Sequence, residues 1–205
     1  MRTVTLQFIL LRAWQRAGND GSDIANIPTG SRTMMVAAAN ERIADCWEWS
    51  DWPELMRVES RTVQGDATNG YYIDYEQSGQ TAMGEVFGVL RDNPATHAAP
   101  RAIGYTLLGD AIRFPEDTDL PTSVWVNFRI RPTEYSASNL SATVPAVIAK
   151  AVALMLTSDL LTEDGQLDKA LAMEQLAESE LISQRDKYYF QQGQPSMWTA
   201  RVNQY

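Results

Sequence analysis

Hydrophobic residues recur at steps of three and four positions in two segments before Pro53, which is the spacing of one face of a helix. A turn at residues 18–21 ends the first segment. The second follows Ser31, a candidate N-cap, and ends by Pro53, because proline disfavours helix in the residue before it. The pattern predicts two helices, with core positions Leu6, Ile9, Leu10, Ala13, Trp14 and Ala17 in the first, and Met35, Ala39, Ile43 and Cys46 or Trp47 in the second.

The period changes between residues 54 and 142 to that of β-strands. The clearest strand has Val124, Val126, Phe128 and Ile130 alternating with Trp125, Asn127, Arg129 and Arg131. Such alternation predicts one buried face and one solvated face. Further strands are predicted at residues 55–63, 71–75, 103–108 and 111–114. Residues 82–91 are ambiguous, because two glycines weaken a helix there, and we interpret them as a strand.

Helical periodicity returns after Val144. Pro145 suits the first turn of a helix, with Thr143 as its candidate cap. The apolar stripe of this helix is Val147, Ala151, Leu154 and Leu161. After a break at residues 162–165, a long last helix is predicted over residues 166–191, with inward positions Leu167, Leu171, Leu176, Leu181 and Tyr188.

This order of elements predicts an α+β protein built on a four-helix bundle. The two N-terminal helices (residues 1–53) and the two C-terminal helices (residues 143–191) would form the bundle. Residues 54–142 would be a central β-rich insertion, and residues 192–205 an extended C-terminal tail that is polar and carries little charge.

Composition narrows the classes of function. The net charge of -9 disfavours sequence-independent binding to a phosphate backbone and favours solubility. Cys46 is the only cysteine and His97 the only histidine, so an internal disulfide, a thiolate metal cluster and most nucleophile–histidine pairs are excluded. The glycines form no phosphate-binding loop. We therefore expect no catalytic residues, no cofactor and no metal, and no apolar stretch reaches the length of a membrane span.

Two aromatic segments are the candidate interaction sites. Trp47, Trp49 and Trp52 follow one another at the end of the second helix. They are interpreted as a core plug, a subunit-packing surface, or both. In the tail, Trp198, Val202 and Tyr205 recur at steps of four and three. We interpret the tail as a peptide that becomes ordered on binding a partner, with a disordered tail as the alternative.

Three stretches resemble the phage head-to-tail connector (adaptor) proteins, the ring-forming subunits placed directly below the portal. In residues 37–54 a helix rich in small residues runs into the tryptophan cluster. Residues 103–132 are similar to the strand pairs that precede the family's third helix. Residues 140–187 resemble the family best, because Val144–Ala151 leads through the turn Leu160–Asp164 into a long helix rich in alanine and glutamate.

The resemblance implies a structural virion protein of the neck, assembled in the host cytoplasm, and not an enzyme. Its subunits would form a ring, usually of twelve copies, around a channel through which DNA passes without sequence-specific binding. The β-rich insertion would face tail or nozzle proteins or neighbouring copies. The portal protein would receive the tail, through Gln194, Pro195, Met197, Trp198, Arg201, Val202 and Tyr205, with Trp198 and Tyr205 as anchors.

Three other functions stay open at the level of sequence. One is a tail-completion or neck protein of the same virion region. Another, from a different class, is a small hydrolase that uses carboxylates, with the acidic pairs at residues 116–119 and 163–164 as candidates. A host-type regulatory interaction module is the third. An enzyme requires convergent polar groups in a pocket, and the sequence offers no linked set of them.

Overall fold

The computed structural model describes residues 2–66, 68, 70–115 and 119–191. These divide into two compact units. The helical unit comprises the described residues up to Glu54 and from Thr133 onward, and the β unit is Leu55–Pro132. In chain order the elements are β1 (Thr3–Thr5), α1 (Leu6–Arg16), α2 (Thr29–Glu48), β2 (Met56–Thr62), β3 (Gln64–Asp66), β4 (Gly70–Asp74), β5 (Met83–Leu90), β6 (Thr106–Leu108), β7 (Ala111–Arg113), β8 (Ser123–Ile130), β9 (Thr143–Pro145), α3 (Ala146–Glu163) and α4 (Leu167–Gln191), with short 3-10 helices at Ile24–Asn26 and Pro53–Leu55.

The α3 helix organises the helical unit. Of its 18 residues, 11 are buried, so its apolar surface extends around the helix instead of forming one stripe. It packs against α4, α1 and α2, whereas α1 and α2 make little contact with each other. Even its buried polar groups are satisfied: the Ser158 hydroxyl donates to the carbonyl of Ala170 at 2.9 Å.

The predicted four-helix bundle is therefore wrong. A bundle needs four helices that each offer one apolar stripe to a shared core. Here one helix is the core and the other three cover it. The described chain is instead a mixed α+β protein with about 42% helix and 24% strand, in four helices and three antiparallel sheets.

The start of α3 also differs from prediction. Thr143 does not cap the helix; it belongs to β9, which pairs antiparallel with β1 at the N-terminus. Pro145 is the N-cap residue, and it has no side-chain hydrogen bond to the first turn. The Arg2 carbonyl instead accepts a hydrogen bond from the backbone N–H of Ala146 at 2.9 Å.

The turn between α3 and α4 depends on Gly165, whose φ of +74° is a left-handed conformation. The Gly165 N–H donates to the carbonyl of Thr162, and the Gln166 N–H donates to that of Leu161. These bonds close the last turn of α3 and return the chain as an antiparallel hairpin.

The inward face of α4 is different from the predicted one. Leu181 is buried as expected, but Leu167, Leu171 and Leu176 are 65%, 61% and 51% exposed. The residues that face the core are Ala170, Ala177 and Leu181. Alanines allow close approach of α4 to α3, and this displaces the leucines to the outer surface.

The β unit consists of two antiparallel sheets that share one hydrophobic core. One sheet has the strand order β2-β8-β5, and the other has the order β3-β4-β7-β6. The central strand β8 buries Val124, Val126 and Phe128, as the alternation predicts, but its other face is not solvated as predicted, because Arg129 on that face is only 9% exposed. Ile73 and Ile112 enter the same core from the second sheet.

Strand β5 (Met83–Leu90) falls within residues 82–91, which were interpreted as a strand from the sequence. Gly84 fits there because a Cβ at this position would lie 3.0 Å from the carbonyl oxygen of Arg129 on β8. The strand predicted at residues 103–108 is shorter, covering only Thr106–Leu108.

The exposure of the α4 leucines gives a first prediction. Leu181→Ala is expected to lower the free energy of unfolding by about 3 kcal/mol, because it leaves a cavity beside α3. Leu171→Ala is expected to change it by less than about 0.5 kcal/mol, because this side chain is exposed. Urea unfolding of the two variants at low protein concentration measures the difference. Equal losses would mean that Leu171 belongs to the core, as first predicted.

Candidate functional site

The three tryptophans at the C-terminal end of α2 and just after it have different environments. Trp47 and Trp52 are 5% and 1% exposed, and the Trp52 indole N–H donates to the carbonyl of Cys46 at 2.8 Å. Trp49 is 37% exposed and stacks on Trp52, with ring centroids 5.9 Å apart. The Arg185 guanidinium of α4 lies over the Trp49 ring at 5.6 Å. Two of the tryptophans are thus core residues, and one contributes to the surface.

Tyr188 holds the end of α4 close to this cluster. Its hydroxyl donates to a carboxylate oxygen of Glu54 at 2.6 Å. Burial raises the pKa of Tyr188 to about 12, and the hydrogen bond to the Glu54 carboxylate adds to this effect. Both influences favour the neutral phenol, so the contact persists up to strongly alkaline pH.

A row of exposed residues follows the outer surface of α4. Its members recur at steps of three and four, so they lie on one face of the helix. We call this row the α4 ridge; it consists of Leu167, Leu171, Glu174, Glu178 and Ile182. Three large apolar side chains in contact with solvent on one helix are typical of a surface that a partner covers.

A groove lies between α1 and α3 in the same unit. It has a volume of about 120 Å³ and is lined by Val4, Phe8, Ile9, Arg12, Arg16, Ala146, Ala149, Lys150 and Ala153. Its floor is formed by alanines, and Phe8, which is 49% exposed, stands at its edge. The Arg12 guanidinium lies 5.1 Å from the centre of the Phe8 ring. We call this feature the α1–α3 groove.

A larger cleft of about 290 Å³ lies where the first turns of α2 meet the ends of α1 and α3. Met34, Met35 and Leu156 are among its apolar lining residues, and Asp159, Glu163 and Asp164 supply carboxylates. Arg42 holds Asp159 through two hydrogen bonds, of 3.0 and 2.5 Å. The hydrogen bonds that Arg42 donates to Asp159 raise the pKa of Arg42, so its guanidinium stays charged at all ordinary pH values.

The remaining chemical candidates are dispersed. His97 is exposed, and its ring is within hydrogen-bonding distance of Thr96 and of the carbonyl of Asn93. Cys46 is buried, which raises its thiol pKa to about 12. Asp119 pairs with Arg91 at 3.0 Å, whereas Glu116 and Asp117 lie outside the described residues. Among the described residues, no group of three or more histidine, cysteine or carboxylate side chains could hold a metal ion.

The predicted docking segment of the tail lies wholly outside the residues that the structure describes. Its members are Gln194, Pro195, Met197, Trp198, Arg201, Val202 and Tyr205. Their role stays a prediction from the sequence.

Sequence reasoning missed both the α4 ridge and the α1–α3 groove. In α4, two apolar series compete: Leu167, Leu171 and Leu176 at steps of four and five, and Ala170, Ala177 and Leu181 at steps of seven and four. Leucine dominates any hydrophobicity pattern, so the series that contains the small alanine side chains is missed. Phe8, Arg12 and Arg16 follow one another at steps of four, and this spacing was the sequence signal available for the groove.

Neither protein-family models nor curated protein sequences give a match to this chain. Across the described residues, no helix is both long and apolar enough for a membrane span.

The Tyr188–Glu54 contact predicts a specific pH dependence. An ordinary tyrosine loses its proton near pH 10, whereas Tyr188 in the folded chain keeps it to about 12. Between these values the unfolded chain binds fewer protons, so the free energy of unfolding falls as pH rises. We expect a steeper fall for the wild type than for Tyr188→Phe, as measured by urea unfolding from pH 9 to pH 11. Parallel curves would contradict a raised pKa at Tyr188.

Proposed function

We propose that this chain is a structural virion protein, one subunit of a head-to-tail adaptor ring that joins the portal to the tail and continues the DNA channel. The observation that carries the proposal is the α4 ridge. Its leucines are unfavourable in contact with water and add nothing to the core of a single copy. A subunit that works only within an assembly explains their exposure.

The arrangement of the chain supports the same function. The helical unit is built from both ends of the chain, and the β unit is formed by the residues between them. In this proposal the helical unit packs beside its neighbours in a ring, with twelve copies as the number that the resemblance implies. The β unit is then available to tail or nozzle proteins, and the tail to the portal.

The charge of the protein supports passage of DNA. A net charge of -9 repels the phosphate backbone, so a channel made of such subunits would let DNA slide without sequence-specific binding. The proposed location is the neck of the virion, after assembly in the host cytoplasm.

Mass measurement tests the proposal directly. The purified chain is mixed with rings of the portal protein from the same virus, and the mass of the complex gives the number of copies bound. The expected result is a complex with one full ring of copies per portal. Absence of any complex with the portal would overturn the adaptor function, whereas a complex with an isolated tail ring alone would favour the tail-completion alternative.

The carboxylate-lined cleft favours a second candidate, a small hydrolase. Asp159 is engaged with Arg42, which leaves Glu163 and Asp164 as the groups available for acid–base chemistry. The double variant Glu163→Gln, Asp164→Asn discriminates between the two functions. The adaptor function predicts unchanged portal binding, and loss of a hydrolytic activity of the wild type would support the enzyme.

The tail gives a further prediction. Deletion of residues 194–205 is expected to leave the urea unfolding midpoint unchanged and to abolish attachment to the portal. The paired variant Trp198→Ala, Tyr205→Ala is expected to weaken attachment nearly as much, because large aromatics are the usual anchors of such contacts. Asn203→Ala serves as the matched control in the same segment. If the deletion lowers the unfolding midpoint, the tail is part of the core instead.

A further inference from the structure

The α4 ridge and the α1–α3 groove lie on different flanks of the helical unit. At the ridge, Glu174 accepts a hydrogen bond from Arg42 of α2 at 3.3 Å, which places this side of α4 next to α2. Glu180, on the other side of α4, pairs with Lys150 at the rim of the groove. One copy therefore carries both surfaces, and its own ridge does not reach its own groove.

The two surfaces have opposite charge. Glu174 and Glu178 lie between Leu171 and Ile182 on the ridge and are both exposed. Arg12, Arg16 and Lys150 line the groove, and no acidic residue lines it. Within the described chain, Arg12 and Arg16 form no salt bridge with a carboxylate. Burial and the nearby Arg12 charge both lower the pKa of Arg16, as expected for cations that still lack an anionic partner.

The size of the groove suits side chains that project from a helix. The groove floor consists of Ala146, Ala149 and Ala153, whose short side chains leave space above them. A volume of about 120 Å³ is small for an organic ligand but accommodates side chains projecting from a helix. The ridge supplies such side chains at helical spacing. At the far end of α4, Arg185 lies over the partly exposed ring of Trp49.

We propose that the α4 ridge of one copy packs into the α1–α3 groove of a second copy. The contact is head-to-tail, because each copy offers its ridge to one neighbour and its groove to another. Such contacts generate closed rings when the rotation between copies closes. Pairing of two ridges is disfavoured, because it would bring Glu174 and Glu178 of both copies together.

The place of this ring in a virion rests on the proposed function. The contact itself is a property of the chain alone. It can therefore be tested without a portal, and its failure can be distinguished from failure of the adaptor function.

Cysteine cross-linking tests the contact. Phe8→Cys labels the groove and Leu171→Cys labels the ridge, in separate copies. Native Cys46 stays in both, because its buried thiol with a pKa of about 12 reacts poorly. The two variants are mixed at millimolar concentration with a mild oxidant. Ala172→Cys replaces Leu171→Cys as the matched control, since it is exposed one residue further along and points away from the ridge.

The expected result is a cross-linked pair that joins Phe8→Cys to Leu171→Cys, with about tenfold less product from Ala172→Cys and little from either variant alone. Dominant Leu171→Cys homodimers would overturn the head-to-tail contact in favour of ridge pairing. Equal cross-linking by the ridge and control variants, or none from either, would also overturn it.

Charge reversal tests the electrostatic part of the contact. Arg16→Glu in the groove copy is expected to lower the cross-linking yield about tenfold at low salt. Glu178→Lys in the ridge copy should restore the cross-linking yield, because the positive and negative charges have then only exchanged places. Portal binding without any cross-link would overturn this contact alone. A cross-link without portal binding would leave the contact intact and overturn the adaptor function.

Discussion

Burial of most of the surface of α3 is the constraint on which the helical unit depends. A helix with apolar residues around its circumference is stable in water only when other elements cover it. Here α1, α2 and α4 provide that cover, and each loses part of its own surface in doing so. The strand pair β1–β9 and the Gly165 turn fix the two ends of α3 at the points where the chain enters and leaves it.

The covering of α3 also determines what remains exposed. Because α4 approaches through alanines, its leucines face outward, and because α1 leaves part of α3 uncovered, a groove with an alanine floor remains beside it. One packing arrangement thus creates an apolar ridge and a basic groove. The proposed assembly uses both, so the same constraint that folds the subunit would also direct its association.

The predicted secondary structure was largely right, for identifiable reasons. In β8 the strict alternation from Val124 to Phe128 reflects a strand with one buried face, which is a local property of the chain. The end of α3 and the start of α4 follow from a local break at Gly165. Predictions failed where contacts with residues distant in sequence determine the local structure. Thr143 looks like a helix cap but pairs with Thr5, a residue far away in sequence.

By itself, the sequence determined the order and type of most elements and the acidic charge, because these depend on nearby residues and on composition. Only the tertiary structure decided that α3 is a central helix and not one of four equals. It alone placed Leu167 and Leu171 outside and Ala170 and Ala177 inside. The reason is physical: periodicity identifies the apolar positions of a helix, but the distance to the helix packed against it decides whether small or large residues face inward.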